Sequence, residues 1–220
     1  PAGLTVRLLV TGGAGFIGSN YVHHVLEHSD DSVTVFDALT YAGNLSTLRD
    51  VDDSPRYQFV KGNIGDRVTL EEAMAGHDAV VHFAAESHVD RSIIGPDDFV
   101  NTNCFGTNVV MDTARRLEVP RVVHIGTDEV YGSVEVGSSK EDDPLEPRSP
   151  YSASKAGSDL IALSYEETYG LPVLVTRSSN NFGPYQFPEK VIPLFVTNLL
   201  DGRKVPLYGG DSVSAPRSNV

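Results

Sequence analysis

The feature that most constrains the fold of this chain is a glycine-rich segment near its start, residues 11–18 (TGGAGFIG). It follows an apolar run at residues 6–10 and opens an amphipathic segment that carries Ile17, Tyr21 and Val25 on one face. A strand, a glycine turn and a helix in this order are the context that a dinucleotide-binding loop requires. The segment therefore predicts the first unit of a nucleotide-binding sheet.

Three glycines of this segment have separate physical roles. Gly12 permits the tight turn, Gly15 lets backbone N–H groups approach a pyrophosphate, and Gly18 lets the helix pack against the strand. The partial positive charge at the helix N-terminus then attracts the phosphates. An ordinary turn is the alternative, and the flanking strand and helix favour the cofactor site over it.

The second predicted strand ends in the acid that such a site uses. Residues 33–36 (VTVF) are apolar and lead into Asp37, nineteen residues after Gly18. A carboxylate at this place accepts hydrogen bonds from the adenosine ribose hydroxyls and repels a 2′-phosphate, so NAD is favoured over NADP. The alternative is a solvated aspartate at the end of a strand.

Apolar runs alternate with helical segments along the rest of the chain, which is typical of right-handed βαβ units and a parallel sheet. The further strands are predicted at residues 57–60, 79–83, 121–125 and 173–176, and the further helices at 67–75, 96–118, 152–169 and 189–200. The long third helix is predicted to carry one face made of Val100, Cys104, Thr107, Met111 and Ala114. The predicted fold class is α/β, with a Rossmann-type doubly wound parallel sheet over residues 1–177 and the start of a smaller substrate-binding lobe at residues 178–220.

Charge and cysteine content exclude several classes of function. The formal net charge of −13 argues against binding to nucleic acid or to an anionic membrane. The single cysteine, Cys104, excludes an internal disulfide, fits a reducing compartment, and is predicted to be a small buried apolar residue. Because no apolar run reaches membrane-spanning length and no signal peptide precedes the first strand, we expect a cytoplasmic protein. No metal site is expected at His23, His24 and His28, which belong to a predicted surface helix.

A tyrosine and a lysine four residues apart, Tyr151 and Lys155, share one face of a predicted helix. A phenol with its ordinary pKa of about 10 is a poor base at neutral pH, but a neighbouring ammonium group and a nicotinamide cation both favour the phenolate. Lowering that pKa by ~3 units requires about 4 kcal/mol of differential interaction. We predict that Tyr151 is a catalytic base and that Lys155 lowers its pKa and binds the nicotinamide ribose.

Two adjacent acids follow the fifth predicted strand in the triplet Thr127, Asp128 and Glu129. Ligands of open α/β sheets bind at the carboxyl ends of the strands, so this triplet is predicted to face the ligand. Oxidation of an alcohol needs no acid pair, whereas the loss of water beside an acidified C–H needs both a base and an acid. The alternative is that the acids are only a helix-capping pair or a pair within a turn.

The glycine-rich segment is one of five motifs; the others are residues 84–92 (AAESHVDRS), 127–132 (TDEVYG), 151–155 (YSASK) and 180–186 (NNFGPYQ). Together they resemble the dTDP-glucose 4,6-dehydratase family of the extended short-chain dehydrogenase/reductase superfamily, in its actinomycete deoxysugar-pathway type. The resemblance covers residues 8–208. The motifs at residues 127–132 and 180–186 are specific within the superfamily.

The resemblance implies a reaction: NAD-dependent dehydration of dTDP-glucose to dTDP-4-keto-6-deoxyglucose by oxidation at C4, loss of water across C5 and C6, and hydride return to C6. It implies that Tyr151 takes the proton of the C4 hydroxyl, whose oxygen Thr127 also binds. It further implies that Glu129 removes the C5 proton while Asp128 protonates the departing C6 hydroxyl. A homodimer joined through the long core helices is implied as well.

The resemblance also implies two sets of binding residues. The cofactor set is Gly12, Gly15, Phe16, Ile17, Gly18, Asp37, Leu39, Thr40, Gly43, Asn63, Ile64, Phe83, Ala84, Ala85, Tyr151, Lys155 and Asn180. The substrate set is Ser87, Thr127, Asp128, Glu129, Tyr151, Asn180, Glu189, Lys190, Pro206 and Tyr208. For Glu189 and Lys190, an exposed helix start is the alternative. Asn63 stands where the family has an aspartate, and its carbonyl oxygen is expected to serve as the acceptor instead.

Residues 210–220 do not follow the family pattern, so the nucleotide-sugar-binding lobe is expected to be partial and the activity of these 220 residues alone is left open. A nucleotide-sugar 4-epimerase is the alternative enzyme, because it shares the tyrosine, the lysine and the glycine turn but needs no acid pair. A non-catalytic NAD-binding module is the alternative outside catalysis. GDP-mannose dehydratases are disfavoured because their pattern favours NADP.

Overall fold

The computed structural model of the chain describes residues 5–134 and 136–205. Its strands form one parallel sheet: β1 (Arg7–Thr11), β2 (Ser32–Asp37), β3 (Tyr57–Lys61), β4 (Ala79–His82), β5 (Val122–Thr127) and β6 (Val173–Ser178). The order β3-β2-β1-β4-β5-β6 is that of a Rossmann-type doubly wound sheet, whose ligands bind at the carboxyl ends of the strands, next to the switch point between β1 and β4. The predicted fold class is confirmed.

The described residues also form seven α-helices: α1 (Phe16–His28), α2 (Arg67–Met74), α3 (Val89–Ile94), α4 (Pro96–Phe99), α5 (Thr107–Arg116), α6 (Pro150–Tyr169) and α7 (Val191–Leu200). Two short 3-10 helices, Leu45–Val51 and Asp128–Tyr131, and a π-helix, Val100–Gly106, complete the helical segments described. One core cluster joins the sheet to α2, α5 and α6, and a second joins it to α1. Both faces of the central strands are therefore covered, which explains why their sequences are almost continuously apolar.

The helix predicted over residues 96–118 is present, but a π-helix interrupts its middle. The wider π turn changes the face that each residue presents, so Val100 is 54% exposed while Asn103 is buried. Cys104 is only half-buried, and its Sγ donates a hydrogen bond to the Ser154 carbonyl oxygen at 3.4 Å. The predicted buried face of this helix is therefore wrong at Val100, and the prediction that Cys104 is a buried apolar residue is also wrong.

The apolar face predicted for α1 also differs from the one that packs on the sheet. Val22, Val25 and Leu26 are buried, whereas Ile17 is 39% exposed. Ile17 belongs to the first turn of the helix, directly after the glycine turn. The predicted face is therefore confirmed at Val25 and at Tyr21, which packs against the core cluster, and is wrong at Ile17.

Within the described residues, no helix combines the length and the hydropathy needed to cross a bilayer. The same residues contain no group of three His, Cys, Asp or Glu side chains arranged to hold a metal ion. Pro206 and Tyr208, which the resemblance assigns to substrate binding, lie outside the described residues.

Candidate active site

The glycine turn brings the start of α1 against the end of β4. Gly12 has a φ of +71°, and a Cβ at this position would lie 2.6 Å from the backbone nitrogen of Ala84. Gly15 precedes the first helical residue, and no side chain caps this end of the helix. The first-turn N–H groups of α1 are thus available to a phosphate, which fits a dinucleotide.

Asp37 connects the glycine turn to the loop that follows β2. Its Oδ2 accepts a hydrogen bond from the Ala14 N–H at 3.0 Å, and its Oδ1 accepts one from the Leu39 N–H at 2.8 Å. The side chain is buried, which raises its pKa, while both backbone donors act in the opposite direction. Leu39 has a φ of 54°, a conformation that leucine rarely adopts. Asp37 therefore orders both loops around the expected adenosine site.

The segment after β6 folds back over the first turns of α1. The Asn20 side-chain nitrogen donates to the carbonyl oxygens of Phe16 at 2.8 Å and of Pro184 at 2.9 Å. The His23 ring stacks on Tyr185 with the ring centroids 5.8 Å apart. Asn180 of the same segment is exposed. The motif at residues 180–186 is therefore positioned beside the glycine turn, although it follows that turn by more than 160 residues.

Thr127, Asp128 and Glu129, together called the acid triplet, begin where β5 ends. Thr127 is buried, and its Oγ1 accepts a hydrogen bond from the Glu129 N–H at 3.3 Å, so Thr127 is the residue that caps the 3-10 helix Asp128–Tyr131. Thr127 rather than either acid is therefore the N-cap, and Asp128 and Glu129 form the first turn of this helix. Burial and the charge of Asp128 raise the pKa of the half-buried Glu129, and Lys190 acts in the opposite direction.

Tyr151 lies in the first turn of α6 and faces the acid triplet. Helix α6 begins with a capping box made by Ser149 and Ser152, which fixes the position of this first turn. The Tyr151 side chain is buried, and burial followed by the charge of Glu129 raises its pKa, while Thr127 acts in the opposite direction. The tyrosine and both carboxylates are thus close enough to interact.

Lys155 lies one turn further along α6 and is almost fully buried. Its Nζ donates to the Ile125 carbonyl oxygen at 2.7 Å, and burial lowers its pKa to about 8. The lowered pKa of Tyr151 was predicted for Lys155 and the nicotinamide cation acting together, and in the chain alone this pKa is raised. The sequence pattern missed the desolvation of the phenol and the two carboxylates beside it.

The turn before α7 contributes two residues to the rim of this site. Lys190 donates from Nζ to the Ser87 carbonyl oxygen at 3.4 Å. Glu189 lies 3.6 Å from Nε2 of His88 and 3.8 Å from Nε of Arg91. Only 17% of the Glu189 side chain is exposed, so the alternative of an exposed helix start is wrong for it. The structure brings Ser87, Glu189 and Lys190 together, as the resemblance implies.

Two expected cofactor residues are already engaged within the protein. Asn63 Oδ1 accepts a hydrogen bond from the Gly65 N–H at 2.8 Å, so the oxygen expected to serve the cofactor closes a local turn instead. The Ile64 side chain is buried in the core, so only the backbone atoms of this residue are available to contact a ligand.

Asn103 is a buried residue of this region that sequence reasoning missed. Its Oδ1 accepts from the Glu86 N–H at 2.8 Å, and its Nδ2 donates to Ser154 Oγ at 2.8 Å. Asn103 thereby ties the loop after β4 to helix α6, near Tyr151. The π-helix turns Asn103 inward, and a helical periodicity of 3.6 residues gives no signal for such a turn.

The chain matches the family model described as GDP-mannose 4,6 dehydratase over residues 9–216, which extends past residue 208, where the resemblance was expected to end. It is 60% identical over 210 residues to a dTDP-glucose 4,6-dehydratase of Streptomyces antibioticus, with 93% of this chain and 62% of that protein covered.

The chain is also similar to solved structures of a dehydratase and of an epimerase. A dTDP-glucose 4,6-dehydratase of Streptomyces venezuelae with NAD and TYD bound has a TM-score of 0.91 and 59% identity, covering 92% of this chain and 65% of that chain. A UDP-glucuronic acid 4-epimerase of Bacillus cereus with UDP-glucuronic acid and NAD has a TM-score of 0.83 and 25% identity, covering 90% of this chain and 64% of that chain. The chain thus spans less than two thirds of the length of each of these relatives.

Proposed function

The chain belongs to the GDP-mannose 4,6 dehydratase family, and from that premise we propose that the full-length protein dehydrates dTDP-glucose to dTDP-4-keto-6-deoxyglucose with NAD as its cofactor. The observation that carries the proposal is the position of two carboxylates, Asp128 and Glu129, beside the buried Tyr151. The printed activity of the relatives at 60% and 59% identity supports dTDP-glucose over GDP-mannose.

The glycine turn, Asp37 and Lys155 would hold the cofactor. Gly12 has no room for a side chain, the start of α1 has uncapped N–H groups, and Asp37 orders the two loops beside it. When bound, NAD supplies the acceptor for the C4 hydride and returns that hydride to C6. The positive charge of the oxidised nicotinamide also favours the phenolate of Tyr151, whose pKa is raised in the chain alone.

Three side chains would move the protons of the reaction. Tyr151 takes the proton of the C4 hydroxyl, and the resulting C4 ketone acidifies the proton on C5. Glu129 removes that C5 proton, Asp128 gives a proton to the departing C6 hydroxyl, and C5 takes a proton back when the hydride reaches C6. Each such transfer contributes about 10²–10⁴-fold to a rate. Thr127, at the end of β5, would orient the C4 oxygen.

The substrate rim would include Ser87, Glu189, Lys190 and Asn180, with Lys190 as a point charge for a phosphate.

We assign residues 1–177 to the NAD-binding domain and residues 178–220 to part of the nucleotide-sugar-binding lobe. A homodimer is part of the proposal, because large apolar side chains are exposed along α6 and along α3 and the π-helix, which both pack against α6: Ile93, Ile94, Val100, Phe105 and Leu160. The free thiol of Cys104 supports a cytoplasmic location.

The direct test is incubation of the full-length protein with NAD and dTDP-glucose, followed by NMR of the sugar. We expect the C6 hydroxymethyl group to become a methyl group and C4 to become a ketone. Inversion at C4 alone would identify an epimerase. NAD binding without any change of the sugar would identify a non-catalytic module, and faster conversion of GDP-mannose would overturn the assigned nucleotide.

Replacing Gly12 with alanine should weaken both folding and NAD binding. The positive φ alone costs a non-glycine residue about 1–3 kcal/mol, and the added Cβ would also meet the Ala84 backbone at 2.6 Å. Urea unfolding and NAD titration of the Gly12→Ala variant measure the two losses. Gly76→Ala is the matched control, because Gly76 has a φ of +78° and its nearest neighbour is the Arg7 side chain at 3.4 Å. The control should lose stability but keep its NAD affinity; an equal loss of affinity in both variants would contradict the cofactor role of the turn.

A further inference from the structure

A buried ion pair, Asp159 and Arg177, lies beside the end of β5, next to the acid triplet. Neither residue belongs to the five motifs that carry the resemblance. Asp159 of α6 has no exposed surface, and its Oδ2 accepts a hydrogen bond from Arg177 Nε at 2.8 Å. Its Oδ1 lies 3.3 Å from Nε2 of the buried His124. A fully desolvated carboxylate is costly unless it is paired, so this pair constrains where Arg177 lies.

Arg177 extends this pair to the helix that carries the acids. Its Nη1 donates to the Tyr131 hydroxyl at 2.6 Å and to the Glu141 carbonyl oxygen at 3.2 Å, and its guanidinium lies 5.0 Å from the Tyr131 ring centroid. Tyr131 is the last residue of the 3-10 helix Asp128–Tyr131. One guanidinium therefore connects α6, β6 and the segment that carries Asp128 and Glu129.

The backbone of β5 makes room for this arrangement. Gly126 pairs with Arg177 in the sheet and directly precedes Thr127. A Cβ at Gly126 would lie 3.0 Å from Asp159 Oδ1 and 3.3 Å from Arg177 Cγ. The ion pair thus packs directly against the end of the strand from which the acid triplet projects.

We propose that Arg177, anchored by Asp159, is a positioning residue that uses the Tyr131 hydroxyl to hold Glu129 and Asp128 in place against the hexose. This inference rests on the proposed dehydration. A single 3-10 turn has poor hydrogen-bond geometry and little stability of its own, so its position depends on such external contacts. A shift of the acids by about 1 Å is enough to cost 10²-fold in a rate.

The structure separates this effect from the first step of the reaction. C4 oxidation uses Tyr151, which is fixed by the start of α6, and Thr127, which is fixed by β5. The Tyr131 hydroxyl holds the backbone of neither residue, although Thr127 Oγ1 also accepts a hydrogen bond from the Glu129 N–H. Loosening the 3-10 helix should therefore slow the loss of water while leaving oxidation at C4 nearly unchanged.

The test is the Tyr131→Phe variant of the full-length protein, assayed in a single turnover with NAD and dTDP-glucose. Borodeuteride quenching followed by mass spectrometry measures the ratio of the 4-keto sugar that retains its C6 hydroxyl to the 4-keto-6-deoxy sugar. We expect this ratio to rise by about tenfold or more, with the rate of C4 oxidation within about twofold of wild type. Arg177→Lys, which keeps the charge but not the fork of donors, should change the ratio in the same direction.

Tyr169→Phe is the matched control. Its ring also lies 5.0 Å from a guanidinium, that of Arg115, but at the far end of α6. This variant should leave the ratio unchanged. Amide hydrogen exchange of residues 129–132 without ligands should be faster in Tyr131→Phe and unchanged in Tyr169→Phe.

The outcomes separate the two proposals. A wild-type protein that forms neither 4-keto sugar would overturn the proposed function and this inference with it. An active wild type with an unchanged ratio in Tyr131→Phe would overturn the positioning role alone. A fall of both rates in equal proportion would likewise count against it, since a merely structural contact lowers the amount of active protein without changing the ratio.

Discussion

Replacing Glu129 with glutamine should allow oxidation at C4 but prevent the loss of water, so that overall turnover falls by about 10²–10⁴-fold. Glutamine keeps the size and a hydrogen-bonding oxygen of the side chain but cannot accept the C5 proton. Tyr151 should stay in place in this variant, because the capping box at the start of α6 fixes the turn that carries it. The 4-keto sugar that retains its C6 hydroxyl should therefore accumulate on the enzyme.

The measurement is the same quench and mass analysis of the sugar, with Glu71→Gln as the control. Glu71 pairs with Arg116 at 3.0 Å between α2 and α5, and its substitution should not change turnover. Because burial raises the pKa of Glu129, wild-type dehydration should be lost as the pH falls through a value above that of an ordinary glutamate. Unchanged turnover in Glu129→Gln would remove this residue from the mechanism.

Replacing Tyr151 with phenylalanine should slow both steps, with turnover reduced by about 10²–10⁴-fold and no accumulation of a 4-keto sugar that retains its C6 hydroxyl. The phenol is the only group proposed to take the C4 proton, and later proton transfers depend on the ketone that this step creates. This variant thus differs from Glu129→Gln in what accumulates, and not only in rate. Its NAD affinity should remain within a few-fold of wild type.

Tyr165→Phe controls for the loss of a tyrosine hydroxyl on the same helix. Tyr165 donates to Asn108 Oδ1 at 3.0 Å, so its variant should lose about 1 kcal/mol of stability and little activity. Accumulation of a 4-keto sugar in Tyr151→Phe would show that another group performs the first proton transfer.

The sheet could be predicted because its strands are buried on both faces. Runs such as residues 33–36 and 79–83 are apolar throughout, and the glycine turn after β1 settles where the first helix begins. The acid triplet and Tyr151 were also predictable as neighbours, since both follow from the rule that ligands meet the carboxyl ends of the strands.

The departures from prediction have physical causes that short-range patterns do not contain. The π-helix moves Val100 to the surface and turns Asn103 inward, which requires the tertiary contact between Asn103 and the loop at Glu86. The pKa of Tyr151 rises because the phenol is desolvated and lies near the carboxylates of Glu129 and Asp128. Both effects depend on packing rather than on the spacing to Lys155. Asp159 and Arg177 belong to no sequence motif, and the contacts that define their role join residues 18 and 46 positions apart in the chain.

The most direct measurement of the central claim is a crystal structure of the full-length Glu129→Gln variant with NAD and dTDP-glucose bound. We expect the C4 oxygen of the hexose to lie about 3 Å from the Tyr151 hydroxyl. The side chain at position 129 should face C5, and the Asp128 carboxyl should face the C6 hydroxyl. A hexose bound with both residues directed away from C5 and C6 would contradict the claim that a tyrosine and two carboxylates act on one sugar.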